Sequence, residues 1–287
     1  MNKDLCITTL VEDTALDGCL LAEHGLSFWI EYSDKRILFD TGQSDILVRN
    51  AKTLGINLDE ADAIVISHGH YDHTGGLSTI LDIAPKATLY LHPAAIEQKF
   101  GRKTSGVNSI GMPYLAKKAV QRCRVIWTAI PAQIFPGMSV TGQVSRINSF
   151  EDAGGAFFVD ENYRKPDELL DDQTLFIESA KGLVVVLGCA HSGVVNTLDY
   201  ISNLTNRNKI YAVIGGMHLL NASKERIERT ITVFREYNIQ KIGLAHCTGA
   251  GAVRRFSDIF QDRCFSCSVG TRISFEKGHK YASVETE

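Results

Sequence analysis

Between Ser67 and Gly75 the chain places three imidazoles and a carboxylate within six residues, His68-Gly69-His70-Tyr71-Asp72-His73. Imidazole nitrogen and carboxylate oxygen are donors that divalent ions take. A β-branched run, Ile64-Val65-Ile66, precedes them, and Gly75-Gly76 then opens Leu77–Ile83, whose apolar spacing is helical. The ligands therefore sit on a strand-to-helix loop. His68 and His70 alternate about Gly69, so an extended backbone points both the same way, whereas adjacent Asp72 and His73 diverge and suit a second ion. Three of the chain's nine histidines stand in this hexapeptide, a concentration that ordinary loop polarity does not explain.

The second half repeats this grammar. The apolar run Gly182–Leu187 reads as a strand buried on both faces, and it empties into Gly188-Cys189-Ala190-His191-Ser192-Gly193 before a helix carrying Val194, Val195, Leu198 and Ile201. Residues 209–214 lead into Gly215-Gly216-Met217-His218, with a helix from Ser223. Lys241–Ala245 leads into His246-Cys247-Thr248-Gly249, with another helix through Val253, Phe256 and Ile259. Polar groups thus gather at strand C-termini, where α/β sheets build their sites. His191 and His246 are the further ligand candidates, each following a buried strand. His218 either orients substrate or donates a proton, or is structural. Cys189 either ligates a soft metal or packs as a small apolar residue. Cys264 and Cys267 have redox spacing but fall in a strand, away from a helix N-terminus, and read as structural.

Elements that must hold these groups are also visible. Leu5–Val11 reads as an opening strand; residues 26–32 and 36–39 flank Ser33-Asp34-Lys35 as a hairpin. His24 lies in the loop before it. Asp40, at a strand end, either orients a ligand imidazole or caps the helix over Ile46-Leu47-Val48. His92, at another strand end, reads as a satisfied polar group. Residues 100–113 are rich in Gly, Ser and Lys; Arg102 and Lys103 there either meet an anionic substrate from a lid or belong to a solvated loop. Residues 122–147 suggest short strands of a second sheet, and 151–172 an acidic, loop-rich segment.

Composition narrows the class. With 287 residues, 44% hydrophobic and 22% charged, the chain is of ordinary globular make-up. A net charge of −3 with scattered basic residues argues against a nucleic-acid partner. No apolar stretch reaches signal-peptide or transmembrane length, so no membrane partner and a cytoplasmic location are expected. Seven irregularly spaced cysteines suit reduced thiols.

The hexapeptide resembles the His-x-His-x-Asp-His signature of the metallo-β-lactamase superfamily. Other landmarks follow in order: Leu38-Phe39-Asp40-Thr41-Gly42, Val186-Leu187-Gly188-Cys189-Ala190-His191 and Leu244-Ala245-His246-Cys247-Thr248-Gly249. Glu23-His24-Gly25-Leu26-Ser27, Gly215-Gly216-Met217-His218-Leu219 and the pair Cys189 and Cys247 are similar to the dihydropteroate-synthase-related branch, which joins a dihydropterin to a ribofuranosylaminobenzene phosphate. The resemblance implies a four-layer αββα sandwich of two mixed β-sheets flanked by helices, built here as one domain over 1–287 from two similar halves. It also marks a departure. Where the superfamily usually has an isolated histidine, this chain has Asp171-Asp172, and Asp171 or Asp172 either substitutes as an oxygen ligand or belongs to a solvated acidic turn.

The expected centre therefore holds two divalent ions on His68, His70, Asp72, His73, His191 and His246, with carboxylates able to bridge and with Asp40, His24, Lys103, Asp172 and Cys189 in supporting positions. Zinc is the expected metal, with iron and manganese as alternatives; the resemblance makes His70 the informative position, since di-iron relatives that reduce oxygen or nitric oxide carry Glu there. A bridging water brought towards pKa ~7 would supply hydroxide, with Asp72 and His218 as catalytic residues. The resulting function is a metal-dependent hydrolase of a small anionic phosphodiester, ester or lactam. A pterin-condensing synthase and a non-catalytic metal or ligand sensor are the alternatives, and a homo-oligomer is compatible with the sequence.

Overall fold

Along the strand Gly182–Leu187 alternate side chains enter different cores: Val184 and Val186 one, Leu183, Val185 and Leu187 another, and all are fully buried. Residues 37–39 and 63–65 divide in the same way, with Ile37, Phe39, Ala63 and Val65 on one side and Leu38 and Ile64 on the other. A strand period of two, apolar at every position, demands cover on both faces. The computed structural model, which describes residues 4–102 and 106–275, shows what supplies it.

In chain order the first half contains β1 (Leu5–Val11), β2 (Ser27–Tyr32), β3 (Lys35–Phe39), α1 (Ile46–Thr53), β4 (Ala63–Val65), α2 (Tyr71–Thr74), α3 (Leu77–Ile83), β5 (Thr88–Leu91), β6 (Phe100–Gly101), α4 (Tyr114–Val120) and β7 (Val125–Trp127). The rest comprises β8 (Ala132–Phe135), β9 (Met138–Val140), β10 (Phe157–Phe158), β11 (Leu175–Ser179), β12 (Gly182–Leu187), α5 (Val194–Thr205), β13 (Ile210–Gly216), α6 (Lys224–Glu236), β14 (Lys241–Ala245), α7 (Ala250–Phe260), β15 (Cys264–Ser266) and β16 (Arg272–Ser274). Two seven-stranded sheets form, ordered β16-β1-β2-β3-β4-β5-β7 and β15-β14-β13-β12-β11-β9-β8, and β6 pairs separately with β10. One core lies between the large sheets. A second joins the first sheet to α1, α3 and α4 through Leu47, Leu77, Ile80 and Ala116, and a third joins the other sheet to α5, α6 and α7 through Leu198, Ile201, Phe234 and Phe256. Each fully buried aliphatic or aromatic side chain contributes ~1.5–3 kcal/mol, which holds the helix-sheet-sheet-helix stack together.

The opening strand and the β2–β3 hairpin stand where the sequence puts them. The second-sheet reading of 122–147 needs correction at one end. Val125–Trp127 pairs parallel with Leu89, Tyr90 and Leu91 and so extends the first sheet; only β8 and β9 join the second. Alternation reports a strand but not its neighbour. No helix among the described residues is long and apolar enough to cross a membrane.

Topology places the chemistry. The parallel pairs β3–β4–β5 and β12–β13–β14 bring the residues following each strand to one edge of each sheet. The two edges meet at Gly188, where a Cβ would overlap Ser67 Oγ, so glycine alone permits the approach.

Candidate metal centre

The ligand loop leaves β4 through bends at Ser67 and Gly69, is extended at His70, and turns helical at Tyr71–Thr74. His68 and His70 come together with Nε2 of His68 3.0 Å from Nδ1 of His70, while the helical turn swings Asp72 and His73 elsewhere. Gly69 N donates to Asp171 Oδ2 at 2.7 Å, and Asp171 is in turn gripped by the buried Lys99 at 2.8 Å. A charge pair thus fixes the loop backbone.

Asp40 orients the imidazoles from beneath. Its fully buried carboxylate accepts from Ser67 N (2.7 Å), Ser67 Oγ (2.7 Å) and His73 Nδ1 (2.7 Å). With its proton on Asp40, Ser67 Oγ accepts from His68 Nδ1 at 2.9 Å, so both His68 and His73 present Nε2 outward. Asp40 does not cap α1, whose N-cap position is Asp45.

His191 completes a first group. Its ring lies 4.8 Å from that of His68 and 4.9 Å from that of His70, its Nδ1 donates to Ala153 O at 2.9 Å, and the ligand atoms of all three lie within 4.8 Å of one another. His70 Nε2 and His191 Nε2 are buried with no partner, as expected of nitrogens that an ion would engage. Burial and the crowding of like groups push His68 and His191 far below the ordinary histidine value, and burial pushes His70 down to about 4. Three neutral imidazoles converge, which is the form a metal takes.

A second group has the opposite electrical character. Asp72 Oδ2 lies 3.2 Å from His246 Nε2 and 3.7 Å from His73 Nε2. Burial alone would raise the Asp72 carboxyl, but His73, His246 and His70 outweigh it and hold it well below the carboxylate range. Behind it, Asp13 Oδ1 accepts from His246 Nδ1 at 3.1 Å and lies 3.4 Å from His24 Nδ1. Burial lowers His246, yet Asp13 and Asp72 bring it well above the usual value. A field that favours a proton there favours a cation.

Cys189 occupies the junction. Its Sγ is 3.2 Å from His73 Nε2 and falls in one candidate ligand group with His68 and His73, which belong to different groups otherwise. The group that touches members of both sets is thus a thiol, which burial pushes well above the usual cysteine value. Cys247 and His218 form a further group with Cys189 on its far side. Of the two thiols, Cys247 is the more acidic, because the Cys189 thiol beside it and the His218 and His246 imidazoles together outweigh burial. Asp40, Ala190, His218 and His246 all adopt positive φ, between 47° and 57°. Such backbone strain in non-glycine residues gathers at functional sites.

The sequence reading can now be placed residue by residue. His68, His70, Asp72, His73, His191 and His246 converge, with Asp40, His24 and Cys189 in contact with them. His218 stands outside His191, ring to ring at 4.3 Å, with Nε2 on Gly154 O at 3.2 Å. The expected oxygen ligand at 171–172 is corrected: Asp171 is taken up by Gly69 N and Lys99, and neither aspartate stands among the clustered donors. Asp172, pushed up to about 6 by burial, accepts from Ser192 N at 2.8 Å and so supports the loop of His191. Arg102 lies over the Phe158 and Tyr163 rings; Lys103 lies outside the described residues. His92 Nδ1 accepts from Ala94 N at 3.1 Å, but its Nε2 is buried with no partner, so the expected satisfied polar group is satisfied at one ring nitrogen only. Sequence reasoning missed Asp13, which sits in the acidic loop after a strand end, and Phe157, whose ring lies 5.2 Å from both His70 and His191. Only the strand-end position of Asp13 offered a signal.

Comparison with known proteins gives the following relationships. The sequence model of the metallo-beta-lactamase superfamily matches residues 21–198. The 7,8-dihydropterin-6-methyl-4-(beta-D-ribofuranosyl)-aminobenzene-5'-phosphate synthase of Methanocaldococcus jannaschii is 33% identical over 282 residues, 94% of this chain and 96% of that protein. An uncharacterized protein of the same organism is 33% identical over 255 residues, 88% of this chain and 94% of its own. Among solved structures, Tm1679, described as a metal-dependent hydrolase of the beta-lactamase superfamily, superposes with a TM-score of 0.81 at 32% identity, covering 94% of this chain and 98% of that one.

Proposed function

The chain belongs to the metallo-beta-lactamase superfamily, and from that membership and the donor geometry we propose a dinuclear, metal-dependent hydrolase acting on a small anionic substrate of phosphodiester type. The observation that carries this reading is the pairing of two three-residue groups, one all-imidazole and neutral, the other built around Asp72, with Cys189 between them. His68, His70 and His191 would hold one ion, and Asp72, His73 and His246 the other. The mixed nitrogen, oxygen and sulfur donors suit zinc, with iron and manganese next. Such ions, when bound, supply hydroxide near neutral pH and positive charge for a developing oxyanion.

The protein's own groups do the rest. Asp40 fixes His73 directly and His68 through Ser67. Asp72 accepts a hydrogen bond from the attacking water while His24 and His246 hold its carboxylate in place. His218 keeps Nε2–H on Gly154 O, leaving a buried Nδ1 to take a proton, and, against the effect of burial, the Cys247 thiol beside the ring raises its affinity for one. Phe157 roofs the all-histidine group, excludes water and offers a flat face to a ring.

A pterin-condensing synthase is the second reading, supported by the 33% identity to the Methanocaldococcus jannaschii synthase across nearly the whole chain. One experiment separates the two. Protein purified without chelator is analysed for metal, then offered a phosphodiester panel and, separately, a dihydropterin diphosphate with an aminobenzene-ribofuranose phosphate. Two equivalents of metal with phosphodiester turnover absent from His68→Ala support the hydrolase; a coupled product with released diphosphate supports the synthase. Metal-free protein that stays silent after addition of zinc, iron and manganese ends both.

A further inference from the structure

Arg226 lies in the first turn of α6 with its side chain only 3% exposed. Nη1 donates to Asp152 Oδ1 at 2.7 Å, but Nε and Nη2 are buried with no acceptor. A buried charged group with unmade hydrogen bonds carries a large desolvation cost, so these donors call for an occupant. The guanidinium lines a cavity of about 400 Å³ together with Asp152, Gly154, Gly155, Ala156, Asn221 and Ala222.

The cavity adjoins the metal centre. Gly154 is its shared wall: its carbonyl accepts from His218 Nε2, and a Cβ there would overlap the His218 ring, which in turn lies 4.3 Å from His191. The residue before Gly154, Ala153, holds His191 Nδ1. The His218 side chain therefore lies between the Gly154 wall of this cavity and the all-histidine group.

We propose that this cavity is a second subsite, which takes the terminal phosphate of a substrate whose other end reacts at the metals. The inference rests on the reading of the centre given above and assigns a further part of the substrate. An Nε–Nη2 edge matches two oxygens of an oxyanion in parallel. The cavity walls are otherwise small and uncharged apart from Asp152. That carboxylate is 78% exposed and engages Nη1 only, so it leaves the Nε–Nη2 edge open while weakening its pull on an anion, which a dianionic phosphate monoester overcomes better than a monoanionic carboxylate.

The test uses metal-loaded protein with inorganic phosphate as probe, followed through the Arg226 Nε–H resonance, together with turnover of two phosphodiesters that differ only in a terminal phosphate. Phosphate should shift that resonance saturably, and Asp152→Asn should tighten its binding. Arg226→Lys should raise KM for the phosphate-bearing substrate roughly 10- to 100-fold more than for its phosphate-free analogue, the loss expected for a charge-assisted pair. A resonance indifferent to phosphate, or equal KM effects on both substrates, overturns the subsite. If Arg226→Lys fails to fold, Asp152→Asn decides the matter: unchanged phosphate affinity refutes the proposal. Wild-type protein that turns over neither substrate sinks the hydrolase reading, while the resonance titration still judges the subsite.

Discussion

Asp40 Oδ2 and His73 Nδ1 lie 2.7 Å apart with both side chains fully sequestered from solvent. Because the same carboxylate also holds Ser67, and Ser67 holds His68, one anion sets the orientation of an imidazole in each candidate metal group. Asp40→Asn keeps the shape but removes the charge that fixes these tautomers. Metal affinity should fall ~10–100-fold, measured by competition with a chromophoric chelator; an unchanged affinity would leave Asp40 a purely structural residue.

Asp72 is the only carboxylate in the Asp72, His73 and His246 group. Asp72→Ala should reduce turnover by at least the ~10–100-fold that follows loss of a supporting partner. The melting temperature should stay near that of the parent protein, since the backbone contact from Leu26 N to Asp72 O survives the change. Turnover equal to wild type would remove the dinuclear mechanism.

Cys189 sits 3.2 Å from His73 Nε2 at the meeting of both groups. Cobalt-substituted protein should show a near-ultraviolet thiolate-to-metal band that Cys189→Ser abolishes and Cys247→Ser preserves. The serine variant should also bind soft ions less well relative to manganese, since a hydroxyl replaces a thiolate donor. A band that survives Cys189→Ser assigns this thiol to packing.

The metal-free protein should lose stability between about pH 6.5 and pH 4. His70 is brought to about 4, and His68 and His191 are driven far down, so over this window the unfolded chain binds protons that the native site refuses. Stability is thus present above 6.5 and lost as pH falls, by ~1.4 kcal/mol per unit for each such group. Asp172, brought up to about 6, acts in the opposite sense between 3.8 and 6 and offsets one of the three. His246, raised above 6.5, is protonated in both states here and contributes no slope. Chemical denaturation at pH 4.5 and pH 7 in chelator measures the difference, and equal stabilities would contradict the burial of neutral imidazoles.

His68, His70, Asp72 and His73 were legible in the sequence because their relationship is local: alternation about Gly69, then one helical turn, fixes where each side chain goes. The strand, loop and helix that carry them were legible for the same reason, as was the corresponding grammar around His191 and His246. What the tertiary structure alone decided are relationships between residues far apart along the chain. Asp171 turns to Gly69 and Lys99 and Asp172 to Ser192 instead of joining the donors; Asp13 reaches His246 across 233 positions; Cys189 meets His73 across 116; Arg226 finds Asp152 across 74 and keeps two donors free. Propensity and period describe one segment at a time, whereas these pairings arise only when the two sheets pack face to face and Gly188 lets their strand ends touch.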